Sequence, residues 1–200
     1  FASVPRKQHV PPYTLLILGG SLGAKAINDC MLAGLDLFAR APESPRFIHQ
    51  TGERDYNAVS EAYQERGLPA EVHAFIEDVP GALARADLVI SRAGGNAVAE
   101  LAVAGKACLL IPFPGAADQH QLANARALER AGAARVIEQG SLTPQRLVAE
   151  ASSLLAAPAQ LEQMERSARA LARPDAAAHI ADLVESLAGR ADHAMVNSEL

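Results

Sequence analysis

Between Leu88 and Ile111 the chain reads strand, glycine pair, alanine-rich helix, strand, an order that few folds accommodate. Leu88 to Ile90 is a short apolar run with the character of a buried strand. It breaks at Gly94 and Gly95. The segment to Ala104 has high helix propensity, and Gly105 stands where a helix-closing glycine stands. A second apolar run, Cys108 to Ile111, stops at Pro112. This is a βαβ unit, two parallel strands joined by a crossover helix.

The chemistry of the unit lies at its turn. Gly94 and Gly95 lack a Cβ, so a ligand can approach their backbone closely. The N–H groups of Gly95, Asn96 and Ala97 open the helix without intrahelical partners, and such a helix start attracts an anion, typically phosphate. Glu100 follows about one turn later. A carboxylate there suits the vicinal hydroxyls of a ribose. It equally suits the helix dipole, and spacing alone leaves both readings open.

The same grammar opens the chain. Tyr13 to Leu18 reads as a strand, Gly19-Gly20-Ser21-Leu22-Gly23 as a glycine turn, and about Ala24 to Arg40 as a helix. The N–H groups near Ser21 and Leu22, with the Ser21 hydroxyl, can be aimed at phosphate. The turn is neither the dinucleotide fingerprint nor a Walker loop. Arg46 to Gln50 is a further strand, ending in His49-Gln50-Thr51-Gly52 where an NAD site wants an acidic residue. His49 reads as structural or as facing a ligand.

Tyr56 to Arg66 reads as an amphipathic helix and Val72 to Phe75 as a strand, with Asp78 capping a short helix from Val79 to Ala86. Phe75 and Ile76 are either core or an apolar seat for a flat base. Beyond the rigid Pro112-Phe113-Pro114-Gly115 loop, Asp118 starts a helix to about Ala131 as its cap. His120, Gln121 and Asn124 there supply neutral donors and acceptors suited to sugar hydroxyls. Ala134 to Ile137 is a last strand. Thr143 and Pro144 open a helix to about Ala156, and Ala159–Ala172 and Asp175–Leu187 are further helices. Strand and helix alternate about six times, which predicts a Rossmann-like, doubly wound parallel sheet. Ligands bind such sheets beyond the carboxyl ends of the strands, and every glycine turn and polar cluster named above falls at one.

Residues 1–12 carry three prolines and no periodicity and read as a linker, with Arg6, Lys7 and His9 solvated. Residues 13–188 form the domain and 189–200 a polar tail. Phe1 is not a natural start, so the chain reads as a fragment. Half of its residues are apolar, enough for a full core, and the net charge of −5 argues against nucleic acid as a partner. It also leaves a bound anion to be held mainly by backbone dipoles. Cys30 and Cys108 fall in helix and strand patterns and read as reduced core residues, which points to a cytoplasmic protein. No apolar run reaches membrane-spanning length and no signal peptide is visible.

Gly19-Gly20-Ser21-Leu22-Gly23-Ala24, His49-Gln50-Thr51-Gly52, Phe75-Ile76, Ser91-Arg92-Ala93-Gly94, Glu100-Leu101 with Ala104-Gly105-Lys106, and His120-Gln121 with Asn124-Ala125 resemble, in order and spacing, the MurG family. Those are peptidoglycan glycosyltransferases that move N-acetylglucosamine from UDP-GlcNAc to lipid I. The likeness spans about Tyr13 to Leu187. It implies the GT-B fold, of which this chain would be the C-terminal, donor-binding half. Ser21 and its turn (Gly20, Leu22, Gly23) would meet the diphosphate, Gly95, Asn96 and Ala97 would supply it with N–H groups, and Gly94, Val98 and Ala99 would also belong to the donor site. Glu100 would bind the ribose, Ile76 the uracil through its backbone with Phe75 beside it, and His120 and Gln121 the N-acetylglucosamine, with Asn124 beside them; Gln50 would also belong to the donor site.

The family's acceptor domain, its catalytic base and an arginine that helps with the donor phosphates lie upstream, and nothing before Tyr13 matches them. The fragment is therefore expected to bind donor without turnover, lipid I being reached through the other half, and the full protein to sit peripherally on the cytoplasmic face of the inner membrane. No membrane contact is implied for this half. No Asp-x-Asp motif occurs, so no metal or other cofactor is expected. Two other readings remain: a separate donor-binding subunit of a two-chain UDP-GlcNAc transferase, and an NAD-binding Rossmann oxidoreductase domain, disfavoured by the missing fingerprint and acidic strand end.

Overall fold

A computed structural model describes residues 1, 4–20, 23–176 and 178–186. Six parallel strands form one sheet: β1 (Thr14–Leu18), β2 (Arg46–Gln50), β3 (Ala70–His73), β4 (Leu88–Ser91), β5 (Cys108–Leu110) and β6 (Ala134–Val136). Their spatial order is β3-β2-β1-β4-β5-β6. The connecting helices are α1 (Lys25–Ala39), α2 (Tyr56–Glu65), α3 (Val79–Arg85), α4 (Gly95–Ala104), α5 (His120–Arg130), α6 (Pro144–Leu155) and α7 (Pro158–Leu171). Residues 178–186 are also helical.

Alternation along each strand divides the core. Leu15, Ile17, Phe47, Leu88, Ile90 and Leu109 face one way, onto α1, α2 and α6. Leu16, Ile48, Val89, Cys108 and Leu110 face the other way, onto α3, α4 and α5. Both faces are covered, which is why these strands read as unbroken apolar runs. α7 closes the bottom, packing against α4 and α6. Both cysteines are free and buried. Thr143 accepts from Arg146 N–H at 3.2 Å, and Asp78 accepts from Gly81 N–H at 2.9 Å, as caps do. Gly105 ends α4 in the left-handed conformation (φ 63°).

Three expectations are corrected. The third strand lies at Ala70–His73, not Val72–Phe75. It is an edge strand, paired only with β2, so none of its residues is fully buried and its apolar signal is weak. The chain leaves the sheet at Ala74, and Phe75 is 58% exposed. Second, Asp118 does not cap α5. Asp118 and Gln119 sit in the left-handed region (φ 47° and 52°), and no side chain caps the helix, which begins at His120. With φ positive, neither residue can place its side chain as a helix cap does, which needs an extended backbone.

Third, the segment before β1 is not simply solvated. His9 is 5% exposed. Its Nδ1 donates to Asp87 Oδ1 at 2.9 Å, its Nε2 lies 3.4 Å from Glu165 Oε1, and Lys7 pairs with the other Asp87 oxygen. Lys106, 1% exposed, donates to Ala86 O at 3.1 Å and lies 3.8 Å from the same Glu165 oxygen. Arg169 lies 3.3 Å from Glu165 Oε2. Two carboxylates surrounded by cations satisfy charges that could not otherwise be buried. The predicted tail at 189–200 and the end of the last helix lie outside the described residues.

Candidate functional site

Strand order reverses between β1 and β4, so the connections leaving them diverge and open a crevice at their carboxyl ends. A cavity of about 460 Å³ occupies it. Leu18, Phe75, Val79, Leu83 and Leu101 supply apolar surface; Gly20, Gln50, Ser91, Arg92, Gly94, Asn96, Glu100 and Gln121 supply polar groups and open backbone.

The β1 turn is built by close backbone approach. Gly19 N–H donates to Gln50 O at 3.1 Å. A Cβ on Gly23, whose φ is +74°, would stand 2.3 Å from the Thr51 carbonyl oxygen, so no other residue fits there. Gly20 lines the cavity; Gly23 lines a neighbouring one of about 650 Å³. Ser21 and Leu22, expected at the phosphates, lie outside the described residues.

The β4 turn differs. A Cβ on Gly94 or Gly95 would meet no protein atom within 4 Å. Packing does not require glycine there, and the space beside it is open. No side chain caps α4, which leaves its first N–H groups to solvent or a ligand. Gly94, Asn96 and Ala97 line the cavity. Val98 instead packs on the core and Ala99 is exposed. Glu100 lines the cavity beyond the first helical turn. A dipole role weakens past that turn, which leaves this carboxylate facing the cavity with little to do for the helix.

Ile76 and Phe75 separate. Ile76 is 7% exposed and belongs to the core, whereas Phe75 lines the cavity. The Ile76 N–H donates to Gln50 Oε1 at 3.2 Å, and Gln50 is itself 3% exposed. Gln50 thus holds the backbone expected to meet a base.

The His120, Gln121 and Asn124 cluster also divides. Gln121 lines the cavity, and its Oε1 accepts from Ala93 N–H (3.3 Å) and Phe113 N–H (3.0 Å). Asn124 Nδ2 donates to Ala93 O at 3.0 Å. These two amides grip both sides of the residue preceding Gly94. They set the β4 turn, which spacing alone does not reveal. His120 is exposed at the start of α5.

His49 is fully buried and structural. Asn28 Nδ2 donates to Thr51 O (2.9 Å) and Asp55 Oδ2 (2.7 Å), so Asn28 Oδ1 is left to accept from His49 Nε2 (3.1 Å). His49 Nδ1 then accepts from the Tyr63 hydroxyl at 3.2 Å. Burial pushes the imidazole down to about 3, so it stays neutral.

Arg92 also lines the cavity, though its motif Ser91-Arg92-Ala93-Gly94 carried no role for it in the sequence. It follows the strand end directly and lies two positions before the glycine pair, a signal that was available. Its NH1 donates to Ile111 O at 3.0 Å, and its guanidinium lies over the Phe113 ring, 5.4 Å from the centroid. Among the described residues no group of three or more His, Cys, Asp or Glu is placed to hold a metal ion.

Residues 14–180 match the glycosyltransferase family 28 C-terminal domain. A UDP-N-acetylglucosamine--N-acetylmuramyl-(pentapeptide) pyrophosphoryl-undecaprenol N-acetylglucosamine transferase from Myxococcus xanthus is 45% identical over 175 residues, 88% of this chain and 46% of that protein. The protein of the same description from Nitratidesulfovibrio vulgaris is 48% identical over 187 residues, 92% of this chain and 50% of that protein. Among solved structures, Acinetobacter baumannii MurG superposes with a TM-score of 0.79 at 37% identity, covering 88% of this chain and 50% of that one. The chain spans about half the length of the relatives it matches.

Proposed function

This chain belongs to the glycosyltransferase family 28 C-terminal domains, and we propose that it is the donor-binding half of a MurG-type enzyme that transfers N-acetylglucosamine from UDP-GlcNAc to lipid I, forming lipid II. One observation carries the reading. A single cavity brings together an apolar surface with an exposed aromatic ring (Phe75), a carboxylate (Glu100) and the uncapped start of α4. These suit, in turn, a base, a ribose and a diphosphate. The uracil would stack near Phe75, Glu100 would accept from the ribose hydroxyls, and Gly95 to Ala97 would donate to the phosphates. Gln121 would offer its amide NH2 to the sugar, with His120 at its edge. Ser21 would add a hydroxyl to the diphosphate.

In the longer protein the lipid I hydroxyl would attack the anomeric carbon as UDP departs from the opposite face, inverting the configuration. The bond to the diphosphate oxygen breaks as the new glycosidic bond forms, and the negative charge gathers on UDP. Preorganised N–H donors at the α4 start would stabilise that charge without reorganising. The acceptor site and the base that takes the hydroxyl proton belong to the other half, so this chain would bind donor without turnover. No metal is required by the reading. Among the described residues no helix is long and apolar enough to cross a membrane; the full enzyme would work at the cytoplasmic membrane face, where lipid I is anchored.

The test is calorimetric titration of this chain with UDP-GlcNAc, UDP and NADH in EDTA. Binding of both uridine ligands and not of NADH is expected. Tight NADH binding, or no uridine binding at millimolar concentration, overturns the reading.

A further inference from the structure

Arg92 is a half-buried cation without a counter-ion among the described residues. Its guanidinium makes one hydrogen bond among the described residues, from NH1 to the Ile111 carbonyl, and rests on Phe113. Among the described residues it enters no ion pair. Burial pulls its pKa down and no neighbouring carboxylate offsets this. The other partly buried cations of the fold are matched: Lys7 has Asp87, Arg135 has Glu150, and Arg169 has Glu165. Lys25, at the start of α1, is largely exposed and pairs with Asp29 at 2.7 Å. Desolvating a guanidinium without a partner is costly, and a fold keeps such a group where a ligand completes it.

Its surroundings indicate which ligand. Arg92 lines the 460 Å³ cavity together with Gly94, Asn96 and Ala97, the uncapped start of α4. It also lines the adjoining 650 Å³ cavity, beside Gly23 and Lys25 at the start of α1. Two helix starts and one unpaired guanidinium therefore converge on the same region. The remaining N–H donors of Arg92 form a planar fork suited to two oxygens of one phosphate. The Ile111 and Phe113 contacts hold the guanidinium in place, so little side-chain entropy is lost on binding.

We propose that Arg92 is the resident counter-charge of the donor's diphosphate, a binding residue supplied by this half itself. The proposal rests on the donor-site reading above and adds to it. Backbone dipoles carry only fractional charge, whereas Arg92 contributes a full one. The diphosphate is then partly neutralised before any residue from another domain arrives.

The experiment is calorimetry with UDP, uridine and inorganic pyrophosphate on the wild-type chain, Arg92→Met and Arg92→Lys, each checked for folding by thermal melting. Arg92→Met should weaken UDP and pyrophosphate at least about tenfold, the usual loss for a charge-assisted hydrogen bond, and change uridine less than about twofold. Arg92→Lys should fall between. In the wild-type chain, UDP but not uridine should slow phenylglyoxal modification of Arg92, read by peptide mass mapping; this arm needs no variant to fold. Equal losses for UDP and uridine would mean that Arg92 only props the Phe113 loop, and undiminished UDP binding would remove it from the site; either overturns the proposal while the nucleotide reading stands. If UDP fails to bind but pyrophosphate binds through Arg92, the nucleotide reading falls and takes the donor role of Arg92 with it, leaving only a diphosphate-binding arginine. If neither binds, both fall.

Discussion

His9 Nδ1 donates to Asp87 Oδ1 at 2.9 Å, with both side chains buried and 78 positions apart in the chain. Asp87 Oδ2 also accepts from Thr14 N–H at 2.7 Å. One carboxylate thus joins the segment before β1, the first residue of β1 and the entry to β4, at the end of the sheet opposite the cavity. Asp87→Asn removes the charge that His9 and Lys7 face. It should cost about 3–5 kcal/mol, the usual penalty for leaving buried charge unpaired. Urea unfolding of the two proteins measures it, and a difference below 1 kcal/mol would show that the pair contributes little.

The same pair sets a pH dependence. Hydrogen bonds and charge from Asp87 and Glu165 outweigh burial and raise His9 to about 9. A raised pKa stabilises the fold fully below the unfolded histidine value and loses that contribution as pH rises through about 9. Asp87 and Glu165 are held below the usual carboxylate range against the opposing effect of burial, by hydrogen bonds from His9 and, at Asp87, from Lys7 and the Thr14 backbone, with charge from Lys106 at Glu165. Their contribution is present above that range and is lost on acidification. The melting temperature should therefore fall between pH 7 and 10, and the fall should be smaller in His9→Phe. Parallel pH profiles for the two proteins would contradict this.

Glu100→Ala should weaken UDP by about 1–3 kcal/mol, the loss on removing a charged hydrogen-bonding partner. Thermal stability should be nearly unchanged, since Glu100 is not in the first turn of α4. Unaltered UDP affinity in calorimetry, with a lowered melting temperature, would restore the helix-dipole role.

Gly94→Ala separates packing from ligand approach. The native φ of −62° suits alanine, and the added Cβ meets nothing within 4 Å. Stability should change by only about 0.5 kcal/mol. UDP binding should drop if the nucleotide lies against this backbone. An alanine variant that binds UDP like the wild type would move the ligand away from the turn.

His120 and Asn124 should behave differently. His120→Ala should weaken UDP-GlcNAc more than UDP if the imidazole reads the sugar. Asn124→Ala removes the grip on Ala93 and should weaken both ligands together, because it loosens the turn. Reversal of that pattern in paired titrations would exchange their roles.

Much of the architecture was legible locally. The period of apolar residues marked β1, β2, β4, β5 and β6, and Thr143 and Asp78 marked their helix starts, because each signal is contained within a few adjacent residues. Edge strand β3 was misplaced because only β2 flanks it, which leaves its side chains too wet for a continuous apolar run. Asp118 looked like a cap by residue type, but it stands in a left-handed conformation, which its local sequence does not announce.

At the site, the sequence alone determined the two glycine turns, the uncapped start of α4 and the position of Glu100 beyond it. These follow from which backbone groups a helix start leaves unpaired and from where strands end. Only the tertiary structure decided which polar side chains serve the protein itself. Gln50 is occupied by Ile76, 26 residues away, and Gln121 by Ala93, 28 residues away. Arg92 stands out as a cation because, among the described residues, no carboxylate comes within ion-pair distance of it. Hydrogen-bond partners and counter-ions are matters of distance between remote residues, and that distance is set when the sheet brings its strand ends together.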